Sequence, residues 1–282
     1  MTPENVHKAA VFGGDCAERI AVLHCTCRDC RWADEELIGE EPLLIRVEAR
    51  PYAVIMRTPG EEDFHAAGFC LTEGLVDRPE DITSLCYCDQ KEANAIDVAL
   101  APARQRLVRD LLERRGFVSQ TSCGLCGKEL IEDLCQRLLP SSDAGRVSVE
   151  QVLDCVGVLS GRQRLYGRTR GSHAAALFDT DLEVLAVSED VGRHNALDKA
   201  IGRVFVEGSI DKGFLGVLSS RISYELVQKA ARARLAMLVG MSRPTALAVA
   251  LAGRLNMTLA CAGKDREVLV FCGRRRLLTG KN

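Results

Sequence analysis

The sequence predicts an α/β protein with a mixed, mainly parallel sheet and a smaller α+β region before it. From about residue 170 onward, short apolar runs typical of buried strands alternate with amphipathic segments of helical period. Such alternation favours parallel strands that are covered by crossover helices. A strand-rich stretch precedes this part, and a cysteine-rich segment opens the chain. The elements are taken below in chain order.

Residues 1–35 have little core-forming pattern and are therefore predicted to be loosely structured. The chain contains 13 cysteines, an odd number, and its N-terminus lacks a basic region followed by an apolar run. We therefore expect reduced thiols and no tightly bound metal. A metal or redox cluster at His24, Cys25, Cys27 and Cys30 is the alternative, although this spacing matches no common structural zinc pattern.

Residues 36–110 are predicted to form a small α+β region. Runs rich in β-branched and apolar residues indicate strands, and one amphipathic stripe indicates a helix. The predicted strands are 43–47, 52–56, 86–88 and 96–100, and the predicted helix is 64–74. Three cysteines fall in apolar patterns and are expected to be buried, inert thiols: Cys70, Cys135 and Cys155.

A Cys-x-x-Cys pair is the most reactive candidate group in the chain. Cys123 and Cys126 are flanked by glycines, and apolar residues recur after them at helical spacing until Pro140. The pair is therefore predicted at a helix N-terminus, where the helix dipole and Lys128 favour a thiolate. A redox dithiol, half of a metal site and a sulfur carrier are open interpretations of such a pair.

The last part of the chain carries the alternation that defines the fold class. A hairpin is predicted first, because two apolar runs flank an Asp-Thr-Asp turn. The predicted strands are 174–178, 184–187, 214–218, 235–239, 257–260 and 268–271, and the predicted helices are 191–206, 223–233 and 245–255.

Three loops of this region leave a strand and enter a helix, and each contains an arginine. In open α/β sheets, ligands bind beyond the carboxyl ends of the strands. Serine, threonine and backbone N–H groups at a helix start donate to phosphate, and arginine suits phosphate geometry. The loops are 189–195, 219–223 and 241–245, and their arginines are Arg193, Arg221 and Arg243. They predict a polyanionic ligand, with helix capping and solvated arginines as the alternative.

Two histidines belong to the same expected crevice. His194 lies in the first loop beside Arg193, where it is suited to acid–base chemistry or to donating to a ligand. Its alternative role is a structural hydrogen bond to a backbone carbonyl. His173 precedes a predicted strand and is expected to line the same crevice.

Composition excludes several classes of protein. Of the 282 residues 47% are hydrophobic and 27% are charged, and the formal net charge is −2, so there is no bulk nucleic-acid signature. No apolar stretch reaches the length that spans a bilayer, and no signal peptide is recognised. We expect a cytoplasmic protein without nucleic-acid or membrane partners.

Six motifs occur together along the chain: Arg57–Gly60, Gly68–Gly74, Ser122–Lys128, His173–Phe178, Asp190–Lys199 and Glu225–Lys229. With this set the chain resembles the FdhD family, the formate dehydrogenase accessory sulfurtransferases. The likeness covers roughly residues 40–275, and the combination of the third and fifth motifs is highly specific. The resemblance implies a homodimer and a cytidine-deaminase-like three-layer core. That core would occupy residues 111–282 and carry the Cys-x-x-Cys loop.

The resemblance also implies an activity. Sulfur would pass from a cysteine desulfurase, through a persulfide on Cys123 or Cys126, to the molybdenum bis-pterin guanine dinucleotide cofactor that is inserted into formate dehydrogenase. The cofactor would be a substrate, and GDP would mimic part of it. The alternative is a cofactor-binding chaperone in which the two thiols have a redox or structural role.

The family usually has a late glycine followed by an aromatic–x–Arg segment that binds the cofactor. Here Cys261 stands for the glycine, Ala262 for the aromatic residue and Lys264 for the arginine. The loops and this resemblance together predict the cofactor-binding set. It comprises Arg193, His194, Arg221, Ser242, Arg243, Ala262, Gly263, Lys264, Asp265, Arg266 and Glu267.

Overall fold

A six-stranded mixed sheet organises the larger part of the fold, and a four-stranded sheet organises the smaller part. The computed structural model describes residues 16–88, 94–114, 138–143 and 145–278. Within them the predicted α/β class is confirmed, and each strand and helix predicted after residue 170 is found.

The strands in chain order are β1 (Ala17–Cys25), β2 (Cys30–Ile38), β3 (Glu41–Val47), β4 (Arg50–Arg57), β5 (Ile82–Cys88), β6 (Ala95–Leu100), β7 (Val147–Ser148), β8 (His173–Phe178), β9 (Val184–Asp190), β10 (Leu215–Leu218), β11 (Met237–Gly240), β12 (Thr258–Ala262), β13 (Val268–Cys272) and β14 (Leu277–Leu278). The α-helices are α1 (Glu62–Thr72), α2 (Pro102–Arg114), α3 (Val149–Arg162), α4 (Arg164–Thr169), α5 (Arg193–Val206), α6 (Tyr224–Arg232) and α7 (Ala246–Arg254).

The six-stranded sheet has the order β13-β12-β11-β10-β8-β9. Only β10–β11 and β11–β12 are parallel, while β8–β9, β8–β10 and β12–β13 are antiparallel. The prediction of a mainly parallel sheet is therefore wrong. Crossover helices α6 and α7 connect only the three central strands, whereas short turns join β8 to β9 and β12 to β13, and a short turn can only join antiparallel neighbours.

Two hydrophobic cores cover the two faces of this sheet. Along β8, Ala175 and Leu177 face the larger core, whereas Ala174, Ala176 and Phe178 face the smaller one. Helix α3 packs in the smaller core, and helices α5, α6 and α7 pack in the larger core. The four-stranded sheet, in the order β4-β3-β6-β5, and α1 close the larger core from outside. Residues on both sides of 110 share this core, and the predicted domain boundaries stay predictions.

Helices α1 and α5 cross at unusually short distance through two glycines. A Cβ atom on Gly202 would lie 1.7 Å from the carbonyl oxygen of Phe64, and one on Gly68 would lie 1.9 Å from that of Asp198. Real Cβ atoms do not approach other atoms so closely, so both positions require glycine. This crossing joins the smaller part of the fold to the helix that begins at the end of β9.

Residues 17–38 form a regular hairpin where a loose segment was expected, while residues 1–15 of that predicted segment lie outside the described residues. Strands β1 and β2 pair along their whole length, from Ala17 opposite Ile38 to Cys25 opposite Cys30. Cys25 and Cys30 form a disulfide with Cα atoms 4.1 Å apart, which corrects the expectation of reduced thiols at this pair. The periodicity of this segment is weak because most of its side chains are exposed, and so the sequence carried little sign of the strands.

Candidate functional site

The three predicted loops meet at one edge of the six-stranded sheet. Strand β8 is antiparallel to both β9 and β10, so β9 runs in the same direction as β10, β11 and β12. The carboxyl ends of these four strands therefore share one edge, which we call the carboxyl edge. The amino end of β8, with His173, lies there as well because it pairs with Asp190.

A cleft of about 500 Å³ opens at the carboxyl edge between the loop after β11 and the turn that joins β12 to β13. Arg243 and Lys264 give it positive charge, and Glu267 supplies a carboxylate. Two cationic side chains in a cleft at strand ends are suited to an anionic ligand. Six of the eleven predicted cofactor residues line it, and the full lining is Met241, Ser242, Arg243, Cys261, Ala262, Gly263, Lys264, Glu267 and Leu269.

The other five predicted residues do not line the cleft. Arg193 and His194 begin helix α5, and the Nε atom of Arg193 is buried without a hydrogen-bond partner among the described residues. Arg221 is exposed in the loop after β10. Asp265 and Arg266 occupy the β12–β13 turn with φ values of 54° and 60°. Arg193, His194 and Arg221 thus belong to the same edge but to a different stretch of it.

His194 is held by a carboxylate that the loop pattern alone did not indicate. Its Nε2 atom lies 2.9 Å from Oε2 of Glu225 and 3.3 Å from Oγ of Ser223, both at the start of α6. The hydrogen bond from His194 lowers the pKa of Glu225. Side chains therefore orient the imidazole. The alternative, a hydrogen bond to a backbone carbonyl, is not found at Nε2.

His173 lies on the same edge in a different electrostatic setting. Its Nδ1 atom is 3.4 Å from Oγ of Ser219, which accepts a hydrogen bond from the Ala174 N–H at 2.8 Å. Burial and the positive charges of Arg193 and His194 lower the pKa of His173, and Asp190 opposes this shift. His173 is therefore held as a neutral imidazole near neutral pH, next to a hydroxyl that is free to donate to it.

Cys261 adds a thiol to the wall of the cleft. Its side chain is almost fully buried, and burial raises its pKa while nearby Arg243 lowers it. The thiol is therefore protonated near neutral pH and is a poor nucleophile. Cys70 and Cys155 are buried as predicted, and burial raises the pKa of Cys155 to about 11.

Much of the run from Asp190 to Lys199 is structural. The carboxylate of Asp190 is completely buried and accepts hydrogen bonds from Thr58 N at 3.0 Å, Gly192 N at 2.8 Å, and Asn195 Nδ2 at 2.9 Å. It also lies 2.8 Å from Nζ of Lys199. These contacts fix the first turn of α5 and tie it to the end of β4, so they position Arg193 and His194.

A second buried ion pair involves Asp198, which directly precedes Lys199 on α5. Asp198 is 2.7 Å from Nζ of Lys229 and accepts a hydrogen bond from Oγ1 of Thr72 at 2.9 Å. Burial raises the pKa of Asp198 and Lys229 opposes that shift. This pair joins α1, α5 and α6 beneath the carboxyl edge.

His65 is a fully buried histidine surrounded by cations. Burial lowers its pKa well below the usual histidine value, and Lys199, Lys229 and Arg57 lower it further. It belongs to α1 and lies close to the Asp190 network, yet nothing in its sequence neighbours points to this position. His65 is therefore neutral in the folded protein over the physiological range.

We expect the protein to lose stability as the pH falls below about 6.5, with His65 contributing about 1.4 kcal/mol for each pH unit. In that window the unfolded chain takes up a proton on His65, whereas the folded chain does not because its pKa is lowered. Acid therefore favours the unfolded state. The free energy of unfolding, measured by urea denaturation between about pH 7 and pH 5, should depend less steeply on pH in His65→Gln than in the wild type. The dependence that remains comes from His173. An equally steep dependence in both proteins would contradict a neutral, buried His65.

Some predicted features fall outside the described residues or have no counterpart within them. Cys123, Cys126 and Cys135 lie in the range 115–137, which the structure does not describe. Among the described residues there is no group of three or more His, Cys, Asp or Glu side chains that could hold a metal ion. The described helices include none that is long and apolar enough to cross a membrane.

Comparisons with known proteins give consistent matches. The profile of the FdhD/NarQ family matches residues 38–278. "Sulfur carrier protein FdhD" of Mycobacterium tuberculosis is 41% identical over 262 residues, covering 89% of this chain and 94% of the relative. The protein of the same name from Streptomyces coelicolor is 36% identical over 253 residues, covering 86% and 89%.

A solved structure shares the fold at low identity. A candidate formate dehydrogenase accessory protein from Desulfotalea psychrophila superposes with a TM-score of 0.74 at 21% identity, covering 93% of this chain and 99% of that one. At 21% identity this match shows a shared fold and nothing about function.

Proposed function

The chain belongs to the FdhD/NarQ family, and we propose from this that it is a sulfurtransferase that serves formate dehydrogenase. It accepts persulfide sulfur from a cysteine desulfurase and passes it to the molybdenum bis-pterin guanine dinucleotide cofactor. The observation that carries the proposal is the basic cleft at the carboxyl edge, in a chain whose relatives are named sulfur carriers. We further propose that the protein is a cytoplasmic homodimer.

The cleft has the chemistry that a guanine-nucleotide end of the cofactor requires. Arg243 and Lys264 supply positive charge from two sides, and Ser242 supplies a hydroxyl. Phosphate oxygens accept hydrogen bonds from such groups, and a charged donor makes the stronger bond. We assign this cleft to one nucleotide end of the cofactor, which is a substrate.

The second nucleotide end of the cofactor is assigned to the stretch around α5. Arg193 offers a buried Nε atom without a hydrogen-bond partner among the described residues. Arg221 is exposed in the loop that follows β10. His194 belongs to the same stretch, where Glu225 holds its ring in place. One ligand with two anionic ends accounts for basic residues at two stretches of one edge better than a single nucleotide does.

Cys123 and Cys126 are the proposed sulfur carriers. A thiolate attacks the terminal sulfur of the donor's persulfide, so one S–S bond forms as another breaks and the donor leaves as a thiolate. Flanking glycines allow a bulky donor to approach closely. The other cysteines described in the core, Cys70, Cys155 and Cys261, are buried and unsuited to this step.

Intact-mass measurement after incubation with a cysteine desulfurase and cysteine tests the transfer. We expect the wild-type protein to gain the mass of one sulfur atom on the peptide that contains Cys123 and Cys126. Cys123→Ala should lose this gain and fail to mature formate dehydrogenase, and Cys126→Ala should be strongly impaired. Full maturation by Cys123→Ala without any added sulfur would favour the cofactor-binding chaperone instead.

Arg243→Ala should weaken GDP binding in the cleft by about ten- to a hundredfold, because a charge-assisted contact to phosphate contributes about 1.5–3 kcal/mol. Arg221→Ala should leave the cleft unchanged, since Arg221 does not line it, and should weaken only a second GDP bound around α5. Arg254→Ala is the matched control, an exposed arginine at the far end of the helix that follows Arg243. Isothermal titration of GDP measures all three, and equal affinities for wild type and Arg243→Ala would place the nucleotide elsewhere.

A further inference from the structure

The tip of the N-terminal hairpin carries an accessible disulfide. Cys25 and Cys30 close the ladder of β1 and β2, and both are exposed. The four-residue turn between them is ordered by hydrogen bonds from Thr26 N to Asp29 O at 2.7 Å and from Asp29 N to Oγ1 of Thr26 at 3.1 Å. A third cysteine, Cys27, is exposed in this turn with a free thiol.

Two large apolar side chains lie on the same face of the hairpin as the disulfide. Leu23 pairs with Trp32, two positions before Cys25 and two positions after Cys30, and alternate residues of a strand share a face. Leu23 is 44% exposed and Trp32 is 62% exposed. An exposed disulfide thus adjoins an exposed apolar pair, which a protein that reaches the sulfur atoms would cover.

Within the described residues, the hairpin contacts the rest of the molecule near its base. None of its described residues belongs to either hydrophobic core. Arg168 of α4 donates to Glu36 at 2.7 Å, and Ile38 packs against the backbone of Gly171. Because a two-stranded hairpin is only marginally stable by itself, the disulfide holds the tip together, while its opening leaves both cores untouched.

We propose that Cys25 and Cys30 form a thiol–disulfide exchange site that is reduced by a protein dithiol docking on Leu23 and Trp32. A thiolate of the partner attacks Sγ of Cys30, and Cys25 leaves as a thiolate and takes up a proton. The second thiolate of the partner then attacks the mixed disulfide and releases Cys30. Two electrons and two protons pass from the partner to the cysteine pair, and the partner becomes the disulfide.

The position of Trp32 indicates which sulfur is attacked. Trp32 is the larger and more exposed of the two apolar side chains, and it lies on β2 two positions after Cys30. A partner docked on it therefore meets Cys30 first, and Cys25 is the leaving group. The site is independent of the sulfur-carrier role proposed above.

The single tryptophan of the chain provides the readout, because reduction of a neighbouring disulfide changes its fluorescence. The full chain with Cys27→Ser is oxidised and then reduced either by dithiothreitol or by thioredoxin as the protein dithiol. We expect Leu23→Ala to slow reduction by thioredoxin about tenfold and to leave reduction by dithiothreitol unchanged. Val206→Ala, which truncates an exposed side chain at the end of α5, should change neither rate.

Alkylation followed by mass measurement reports the same reaction without relying on Trp32. It also allows Trp32→Ala to be tested, and we expect the same selective slowing with thioredoxin. Equal slowing with both reductants, as a distorted hairpin tip would cause, would contradict docking on Leu23 and Trp32. No slowing with thioredoxin would contradict it as well. Alkylation of both Cys25 and Cys30 in the oxidised protein would overturn the exchange site itself.

Discussion

Gly202→Ala is expected to destabilise the protein by at least about 3 kcal/mol, the upper end of what overpacking costs. The added methyl group would lie 1.7 Å from the carbonyl oxygen of Phe64 and 2.7 Å from the backbone nitrogen of Gly68. Both neighbours are backbone atoms of α1, so no side chain can move aside. Relief requires α1 and α5 to separate, which opens the larger core. Urea denaturation followed by circular dichroism measures the loss.

Gly157→Ala is the matched control for this substitution. Gly157 lies inside helix α3, and a Cβ atom there would meet nothing within 4 Å. Alanine is the better helix former, so this variant should be more stable by about 0.5–1 kcal/mol. If Gly202→Ala behaved like Gly157→Ala, the close crossing of α1 and α5 would be incorrect.

Asp190→Ala is expected to cost about 3–5 kcal/mol, because it leaves the buried ammonium group of Lys199 without its counter-charge. It also removes the acceptor of the Thr58 and Gly192 N–H groups. Lys199→Met should lower the free energy of unfolding less than Asp190→Ala does, since Asp190 then keeps three of its four hydrogen-bond donors. Measuring the free energy of unfolding of both variants shows which one is less stable.

The variant that replaces both charges separates the ion pair from the packing around it. Asp190→Leu combined with Lys199→Met should cost less than the sum of the single changes, because neither charge is left buried alone. Additive costs would show that the two side chains contribute independently. Loss of GDP binding in a variant that remains folded would show that the network also positions Arg193 and His194.

The sequence predicted the later strands and helices well because each is a continuous apolar run or a clear amphipathic stripe. Strand β10 and helix α6 are examples, with buried residues at the periods expected for each. The antiparallel pair β8–β9 was predicted from its short turn. The direction of β8 relative to β10 could not be derived from periodicity, since a buried strand has the same pattern in either direction. The hairpin β1–β2 was missed because it buries little and therefore shows little apolar alternation.

The candidate site could be predicted in part. The rule that ligands bind beyond strand ends identified loops that do share one edge, and Arg243 and Lys264 line one cleft. The rule could not predict that Arg243 and Arg193 lie at different stretches of this edge, because that depends on the order of the strands across the sheet. Glu225, the partner of His194, lies on another helix 31 positions later, and only the packing of α5 beside α6 brings them together.

The burial of Asp190, Asn195, Asp198 and Lys199 has a consequence for how related sequences are recognised. These residues support the scaffold, so a search pattern built on their run detects an architecture and not a reaction. A chain that kept them but lost both thiols of the Cys-x-x-Cys pair would still match the pattern. Genome surveys should therefore score the two cysteines that we propose as sulfur carriers separately from the motif that finds the fold.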